Sequence, residues 1–237
     1  NFHTLSEMNH SPSHMKSVLD GEVRIQTDAL RLGRAFHSAI LTPDEFDNEF
    51  HTATACCAKL KSGQRKGQEC GKNAIHWDSE NWFCGTHKTE GCVTPENVVT
   101  QEEHERAVLM RNLVRRSEAG TVLHQAGNPE VTIVFERGGV LCKCRIDWLV
   151  AEQSITDLKK CQRTKCCDDG WICQEISKRN YHQQLAFYAA GFLSIFHKWP
   201  QTQLLFVEDA QPHDSTLMPL DDQTIEIGIT EIDQMLA

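Results

Sequence analysis

Gly139-Val-Leu-Cys-Lys-Cys-Arg-Ile-Asp147-Trp-Leu-Val150 is followed, one short turn later, by Ile155-Thr-Asp157-Leu-Lys159. Both stretches read as β-strands. Side chains at i and i+2 of a strand point to the same face, so Asp157 and Lys159 stand side by side. A hairpin-like turn over residues 151–154 brings Asp147 alongside them. Two carboxylates and an ammonium converging on one sheet face are costly without a role. They make sense if a divalent cation neutralises the acids and the lysine handles an activated water or a phosphate oxygen.

Upstream of this pair, Val131–Glu136 reads as a further strand, joined to Val140–Leu149 by the turn residues Arg137-Gly138-Gly139. Downstream, Trp171 to Lys198 reads as one long helix stopped by Pro200. Gln203–Glu208 reads as a strand, and Asp221–Leu236 as a short strand or helix. Towards the N-terminus, Ser11-Pro12 opens a short helix. Thr27 to Leu41 forms a second helix with Leu30, Gly33, Phe36 and Ile40 on one face. Thr42-Pro43 starts another. Residues 95–119 are helical, with Thr100-Gln-Glu-Glu103 as a capping box. The order is helices, strands, helix, strand, which predicts an α/β sandwich with a mixed central sheet flanked by helices.

The 237-residue chain is 40% hydrophobic and 24% charged, the composition of a globular protein with an adequate core. No apolar run approaches the roughly 20 residues needed to span a bilayer. The start, Asn1-Phe-His-Thr-Leu-Ser-Glu7, lacks the shape of a signal peptide, and with no initiator Met the chain reads as a fragment. A net charge of -9 argues against a generally sticky nucleic-acid binder, although a local basic groove is compatible with it.

Five segments in order carry a resemblance: Leu32-Gly-Arg-Ala-Phe-His37-Ser-Ala-Ile-Leu41, Gly127-Asn-Pro-Glu130, Cys142-Lys-Cys-Arg-Ile-Asp147, Asp157-Leu-Lys159, and Tyr181-His-Gln-Gln184-Leu-Ala-Phe-Tyr188. Each alone fits an ordinary structural role. Together they resemble the nuclease domain of the RecE-type exodeoxyribonuclease VIII family, within the P-D-(D/E)-x-K superfamily. The resemblance runs from the N-terminal helix to Val207. It implies a Mg²⁺- or Mn²⁺-dependent exonuclease that resects the 5′ strand at ends of double-stranded DNA in phage or prophage recombination. It further implies a ring-shaped homo-oligomer, a single-strand annealing protein as partner, and the cytoplasm of a bacterial or phage-infected cell. Asp147, Asp157 and the Leu158 carbonyl would hold the metal, with His37 contacting the same region and Glu130 serving a second metal or the water network. Lys159 would orient or deprotonate water and stabilise charge, braced by Gln184 and Tyr188, which are four apart on a helix and share a face. Lys160, Arg163, Lys165 and Arg34 are candidate phosphate contacts. An endonuclease on the same scaffold, or a non-catalytic zinc-containing binding module, are the alternatives.

Eleven cysteines without an export signal point to metal ligation or buried thiols rather than disulfides. Residues 56–92 are rich in Cys, Lys, Gly and Gln and read as an insertion into a core of residues 1–55 and 93–237. Within it, Cys57, Cys70, Cys84 and His87 have the spacing of a structural zinc knuckle, with Cys56 an equally good first ligand and Trp77, Trp82 and Phe83 as an apolar cushion. A second cluster, Cys161, Cys166, Cys167 and Cys173, follows the Asp157-Leu-Lys159 strand. Iron–sulfur ligation is disfavoured there, since no cysteine follows Cys173. A second zinc or unpaired thiols fit better.

Overall fold

The computed structural model describes residues 1–21 and 28–237. The chain divides into two units, one of residues 1–21 with 113–237 and the other of residues 28–112. The expected Cys-rich insertion lies within the second. Helices α1 (Phe2–Ser6) and α2 (Pro12–Leu19) open the first unit. Ser11 caps α2 by accepting from the His14 amide, as its position before Pro12 predicts.

In the second unit, α3 (Asp28–Leu41) and α4 (Pro43–Glu49) precede six two-residue strands. β1 (His51–Thr52) pairs in parallel with β6 (Val98–Val99). β2 (Thr54–Ala55) pairs with β3 (Asn73–Ala74), and β4 (His76–Trp77) with β5 (Trp82–Phe83). Ala35, Ala39, Phe46, Phe50, Val99 and Ala107 form its core. Phe36 and Ile40 are buried as expected, but Leu30 is 54% exposed. The expected start of α3 at Thr27 lies outside the described residues. Helix α5 (Gln101–Arg116) begins later than expected because Val98 and Val99 are taken by the β1 pairing. Its capping box forms: Thr100 Oγ1 accepts from the Glu103 amide at 3.1 Å, and Glu103 Oε2 accepts from the Thr100 amide at 2.8 Å.

The first unit resumes with β7 (Asn128–Arg137), β8 (Val140–Val150) and β9 (Ser154–Cys161). These are followed by helices α6 (Asp169–Lys178) and α7 (Tyr181–Phe196), strands β10 (Gln201–Glu208) and β11 (Ser215–Leu220), and helix α8 (Asp222–Leu236). The sheet runs β11-β10-β9-β8-β7, and only the β9–β10 pair is parallel. That is the mixed sheet expected, because β9 and β10 are joined by a helical crossover while β7, β8 and β9 are joined by tight turns. Gly138 (φ 59°) and Gly139 (φ 74°) make the β7–β8 turn, where both central residues need positive φ.

The single long helix expected over 171–198 is two helices. Asn180 adopts left-handed backbone (φ 55°, ψ 36°) between them, a conformation Asn tolerates better than most residues. Every residue from Gln183 to Phe192 is buried. A helix apolar on all sides belongs between two layers, and α7 lies between the sheet and α8. A Cβ at Gly191 would stand 3.0 Å from Cys144 Sγ, and one at Gly228 of α8 would stand 2.8 Å from Ala186 Cβ. Phe187, Phe192, Leu185, Ile146, Ile155, Leu204 and Phe206 fill this core, each contributing roughly 1.5–3 kcal/mol through burial. No helix of the described residues is long and apolar enough to cross a membrane.

Candidate active site

The register of the first unit's sheet brings three acids into one line. Pro129 pairs with Trp148 and Val131 with Ile146, which leaves Glu130 opposite Asp147. Trp148 pairs with Thr156, so the next step of the β8–β9 register is Asp147 opposite Asp157. Ladder pairing stops there. Like charges directly opposite one another repel, and Asp147 Oδ2 instead accepts the Leu158 amide at 2.7 Å. In an extended strand the N–H and C=O of one residue face the same neighbour, so the Leu158 carbonyl faces the Asp147 side as well. Glu130, the third residue of β7, sits at positive φ (53°), a strained conformation for a non-glycine residue. Its carboxylate and that of Asp147 have oxygens within 4.8 Å of each other, and Arg145 Nε lies 2.7 Å from Glu130 Oε2.

On the other flank, Lys159 Nζ stands 2.5 Å from Asp157 Oδ2 and donates to Gln184 Oε1 at 2.8 Å. Gln184 Nε2 donates to Asp157 Oδ1 at 3.2 Å and to the Tyr188 hydroxyl at 2.7 Å. Only this orientation of the amide works: an ammonium needs an acceptor and a carboxylate needs a donor. The i,i+4 pairing of Gln184 and Tyr188 on α7 thus clamps Asp157 and Lys159 from one side. Tyr181, one turn earlier, places its ring 4.3 Å from Lys159 Nζ, a cation–π contact. Its role was not drawn from the sequence, although the 181–184–188 spacing on one helix face carries the signal.

Asp147 is 8% exposed and Asp157 only 2%. Burial first, and the Asp157 charge second, hold the Asp147 carboxyl well above the ordinary carboxylate range. Burial works against charge on Lys159, but Asp157 outweighs it and raises the lysine, which is therefore an ammonium. That state suits charge stabilisation rather than proton abstraction. Asp157 Oδ2 has the Lys159 ammonium as its counter-charge, so one cation serves both Asp147 and Asp157. Two buried acids facing one ammonium carry an excess of negative charge when ionised, and a divalent cation would offset it. Two buried acids and a carbonyl facing them are hard oxygen donors that fit Mg²⁺ or Mn²⁺. His37 belongs to the second unit, where it is half-buried on α3 with its ring edge-on to Phe36. Among the candidate phosphate contacts, Lys160 is paired with Asp209 at 3.3 Å and Arg34 with Glu96. Arg163 is exposed in the loop after β9 and Lys165 is half-buried there.

In the second unit it is Cys56, rather than Cys57, that joins the other three candidate ligands. Cys56, Cys70, Cys84 and His87 converge, with all four ligand atoms within 4.8 Å of one another. Cys57 does not join them. Neighbours on an extended segment face opposite ways, and Cys57 Sγ turns to the Trp82 carbonyl at 3.3 Å. Cys70 Sγ and Cys84 Sγ are 4.0 Å apart, and His87 Nδ1 is 3.4 Å from Cys84 Sγ and 3.6 Å from Cys56 Sγ. Tetrahedral zinc, with bonds of ~2.3 Å to sulfur and ~2.0 Å to nitrogen, sets such edges at about 3.8 and 3.5 Å. Burial alone would raise the Cys84 thiol, but the Thr86 and His87 amides and neighbouring thiols bring it down to about 6. Ala58, Leu60, Trp82 and Phe83 pack around the group. Trp77, also expected in that cushion, stacks on Trp82 but is 37% exposed.

A family model described as "PDDEXK-like domain of unknown function (DUF3799)" matches residues 2–237. No curated protein matches the chain. A crystal structure from Eubacterium rectale, described as a "Putative exonuclease", is similar in fold: TM-score 0.59, 14% identity, covering 93% of this chain and 70% of that one.

Proposed function

The chain belongs to the PDDEXK-like DUF3799 family, and from that premise we propose that it is a metal-dependent DNA exonuclease of the RecE type, hydrolysing phosphodiesters at double-stranded ends. The observation that carries the reading is the Asp147–Asp157–Lys159 group. Its two acids are buried and face a single ammonium, and that lysine is locked between Asp157 and Gln184. A structural protein has little reason to keep such a cluster.

Asp147, Asp157 and the Leu158 carbonyl would hold Mg²⁺ or Mn²⁺, which when bound acidifies water and withdraws charge from a phosphoryl oxygen. The protein supplies the rest. Lys159, as an ammonium, stabilises charge growing on the phosphate oxygens. Gln184 fixes its aim, Tyr188 fixes Gln184, and Tyr181 shields one side of the ammonium. Glu130 would orient water or hold a second ion, and the RecE resemblance implies that His37 contacts the metal region. Exposed Arg163, together with Lys165, would contact the DNA backbone without reading sequence. Cys56, Cys70, Cys84 and His87 form a closed, structural zinc site in this reading, because protein fills all four positions. Strand polarity, a ring-shaped homo-oligomer, an annealing-protein partner and a cytoplasmic setting follow from the RecE resemblance.

The test is release of nucleotides from linear duplex DNA with Mg²⁺, compared with EDTA and with Asp157→Ala. Mg²⁺-dependent release that Asp157→Ala abolishes is expected. Equal degradation by both proteins, or none by either, refutes the assignment. Covalently closed circular DNA should survive; if it is cut, the exonuclease reading gives way to an endonuclease.

A further inference from the structure

We propose that Cys166, Cys167 and Glu208 form a second metal site, in the first unit, that takes a thiophilic divalent cation of the zinc class. Strands β9 and β10 end level with each other, Cys161 paired with Glu208. The chain after β9 then curls back over these ends before entering α6, and the Thr164 amide donates to Glu208 Oε1. Its other oxygen, Oε2, has no hydrogen-bond partner, although Glu208 is only 1% exposed. An unsatisfied, buried carboxylate oxygen is an independent sign of an absent ligand, since leaving it bare costs stability.

Two thiols lie close to this carboxylate. Cys166 is fully buried, its Sγ is 3.7 Å from Cys167 Sγ, and the three ligand atoms lie within 4.8 Å of one another. The sulfur–sulfur separation is close to the ~3.8 Å edge of a tetrahedral zinc site. Asp214 Oδ2, 3.9 Å from Cys167 Sγ, stands by as a fourth donor. His213 is already committed, its Nδ1 against the Glu208 carbonyl at 3.0 Å. Two thiolates and a carboxylate would gather three negative charges at a site where Cys166 and Glu208 are buried, which a doubly charged ion offsets in part. Sulfur donors favour zinc over magnesium, so the site is chemically distinct from the carboxylate group at Asp147 and Asp157. Cys173 is exposed on α6 and takes no part. The ion would staple the ends of β9 and β10 to the loop, and β9 is the strand that carries Asp157 and Lys159.

The 237-residue chain, reduced and freed of metal, is titrated with cobalt(II) chloride. Thiolate-to-cobalt absorption and metal content per chain are read for the wild type, Cys84→Ser, and Cys166→Ser/Cys167→Ser. The expected result is two thiolate-bound equivalents in the wild type and one in each variant, the loss in the two variants being independent. Glu208→Gln should weaken the second equivalent by roughly ten-fold or more in competition with a chelator. A Cys166→Ser/Cys167→Ser protein that binds as much cobalt as the wild type overturns the proposal, as does a wild type whose thiolate-bound cobalt vanishes entirely with Cys84→Ser. If the double variant does not fold, Cys167→Ser, at an exposed position, and Glu208→Gln decide the matter: unchanged chelator competition in both refutes the site.

Discussion

Asp147→Asn should make the metal-free protein more stable. Asp147 is buried, stands opposite Asp157 where the β8–β9 ladder breaks, and is held well above the usual carboxylate range by burial and then by the Asp157 charge. Asparagine keeps the shape and an oxygen to accept the Leu158 amide, now at 2.7 Å from Oδ2, while removing the charge. The penalty relieved is that of an imperfectly compensated buried polar group, about 1–3 kcal/mol. For a chain of this size each kcal/mol is worth roughly 2–4 °C in melting temperature. The pH dependence has a fixed sign. The folded carboxyl titrates above its unfolded value of about 3.9, so ionised Asp147 weakens the fold only when pH exceeds that value. The advantage of Asn is therefore absent below about pH 4, grows as pH rises through the raised folded value, and then levels off. Mg²⁺ at about 100 times its Kd should add ~2.7 kcal/mol to the wild type and little to the variant, removing or reversing the order. Differential scanning calorimetry in EDTA and in Mg²⁺ at several pH values reads this directly. A variant that melts no higher than the wild type in EDTA at pH 7, or whose advantage survives Mg²⁺ undiminished, refutes the account of these acids as a cation site.

Gln184→Leu removes the acceptor of Lys159 and should lower kcat on linear duplex DNA by roughly 10–100-fold, the worth of a charge-assisted hydrogen bond, with KM little changed; a rise in KM alone would recast Gln184 as a DNA-binding residue. Arg31→Met breaks a pair buried at 4% and 16% side-chain exposure, with bonds of 2.9 and 3.1 Å to Glu103. It should cost about 3 kcal/mol in urea unfolding at pH 7. Burial pulls the Glu103 carboxyl upwards, but Arg31 and Thr100 outweigh it and hold it below the usual range. The stabilisation is thus full above the unfolded value of about 4.3 and fades as pH falls through the folded one, so the two proteins should converge in acid. Cys56→Ser should lose the zinc of the second unit while Cys57→Ser keeps it, read as metal content per chain after dialysis; the opposite pattern refutes the ligand assignment.

What was legible in the sequence is what depends on neighbours along the chain. The Gly138-Gly139 turn, the Thr100–Glu103 capping box, the i,i+2 placement of Asp157 and Lys159 and the i,i+4 placement of Gln184 and Tyr188 are local geometry, and all are present. The break between α6 and α7 was not legible, because Ser177-Lys-Arg-Asn180 also suits an exposed helical turn and the left-handed Asn180 leaves no periodic mark. Strand β11 escaped notice because Ser215-Thr-Leu-Met-Pro-Leu220 neither alternates nor avoids proline, which an edge strand tolerates. Cys56 and Cys57 could not be separated, since facing is decided by the β2–β3 pairing and not by spacing.

The line of acids shows why register, rather than motif, makes the site. Asp147 and Asp157 are ten residues apart, and Glu130 and Asp147 seventeen; no helix or single strand unites them. A three-residue turn at Ala151–Gln153 and a two-residue turn at Gly138-Gly139 set both registers at once, so that opposition recurs on adjacent strand pairs. Lengthening either turn by one residue would turn one acid to the other face of the sheet. The backbone already yields to this crowding: the β8–β9 ladder opens beyond Trp148–Thr156, and Glu130 is forced to positive φ. Those departures coincide with two buried carboxylates that share one ammonium, Lys159. A fold under selection for stability alone would place apolar or paired residues at three such positions. Strain and repulsion meeting at one point are what a sheet retains when that point has to grip something from outside the chain.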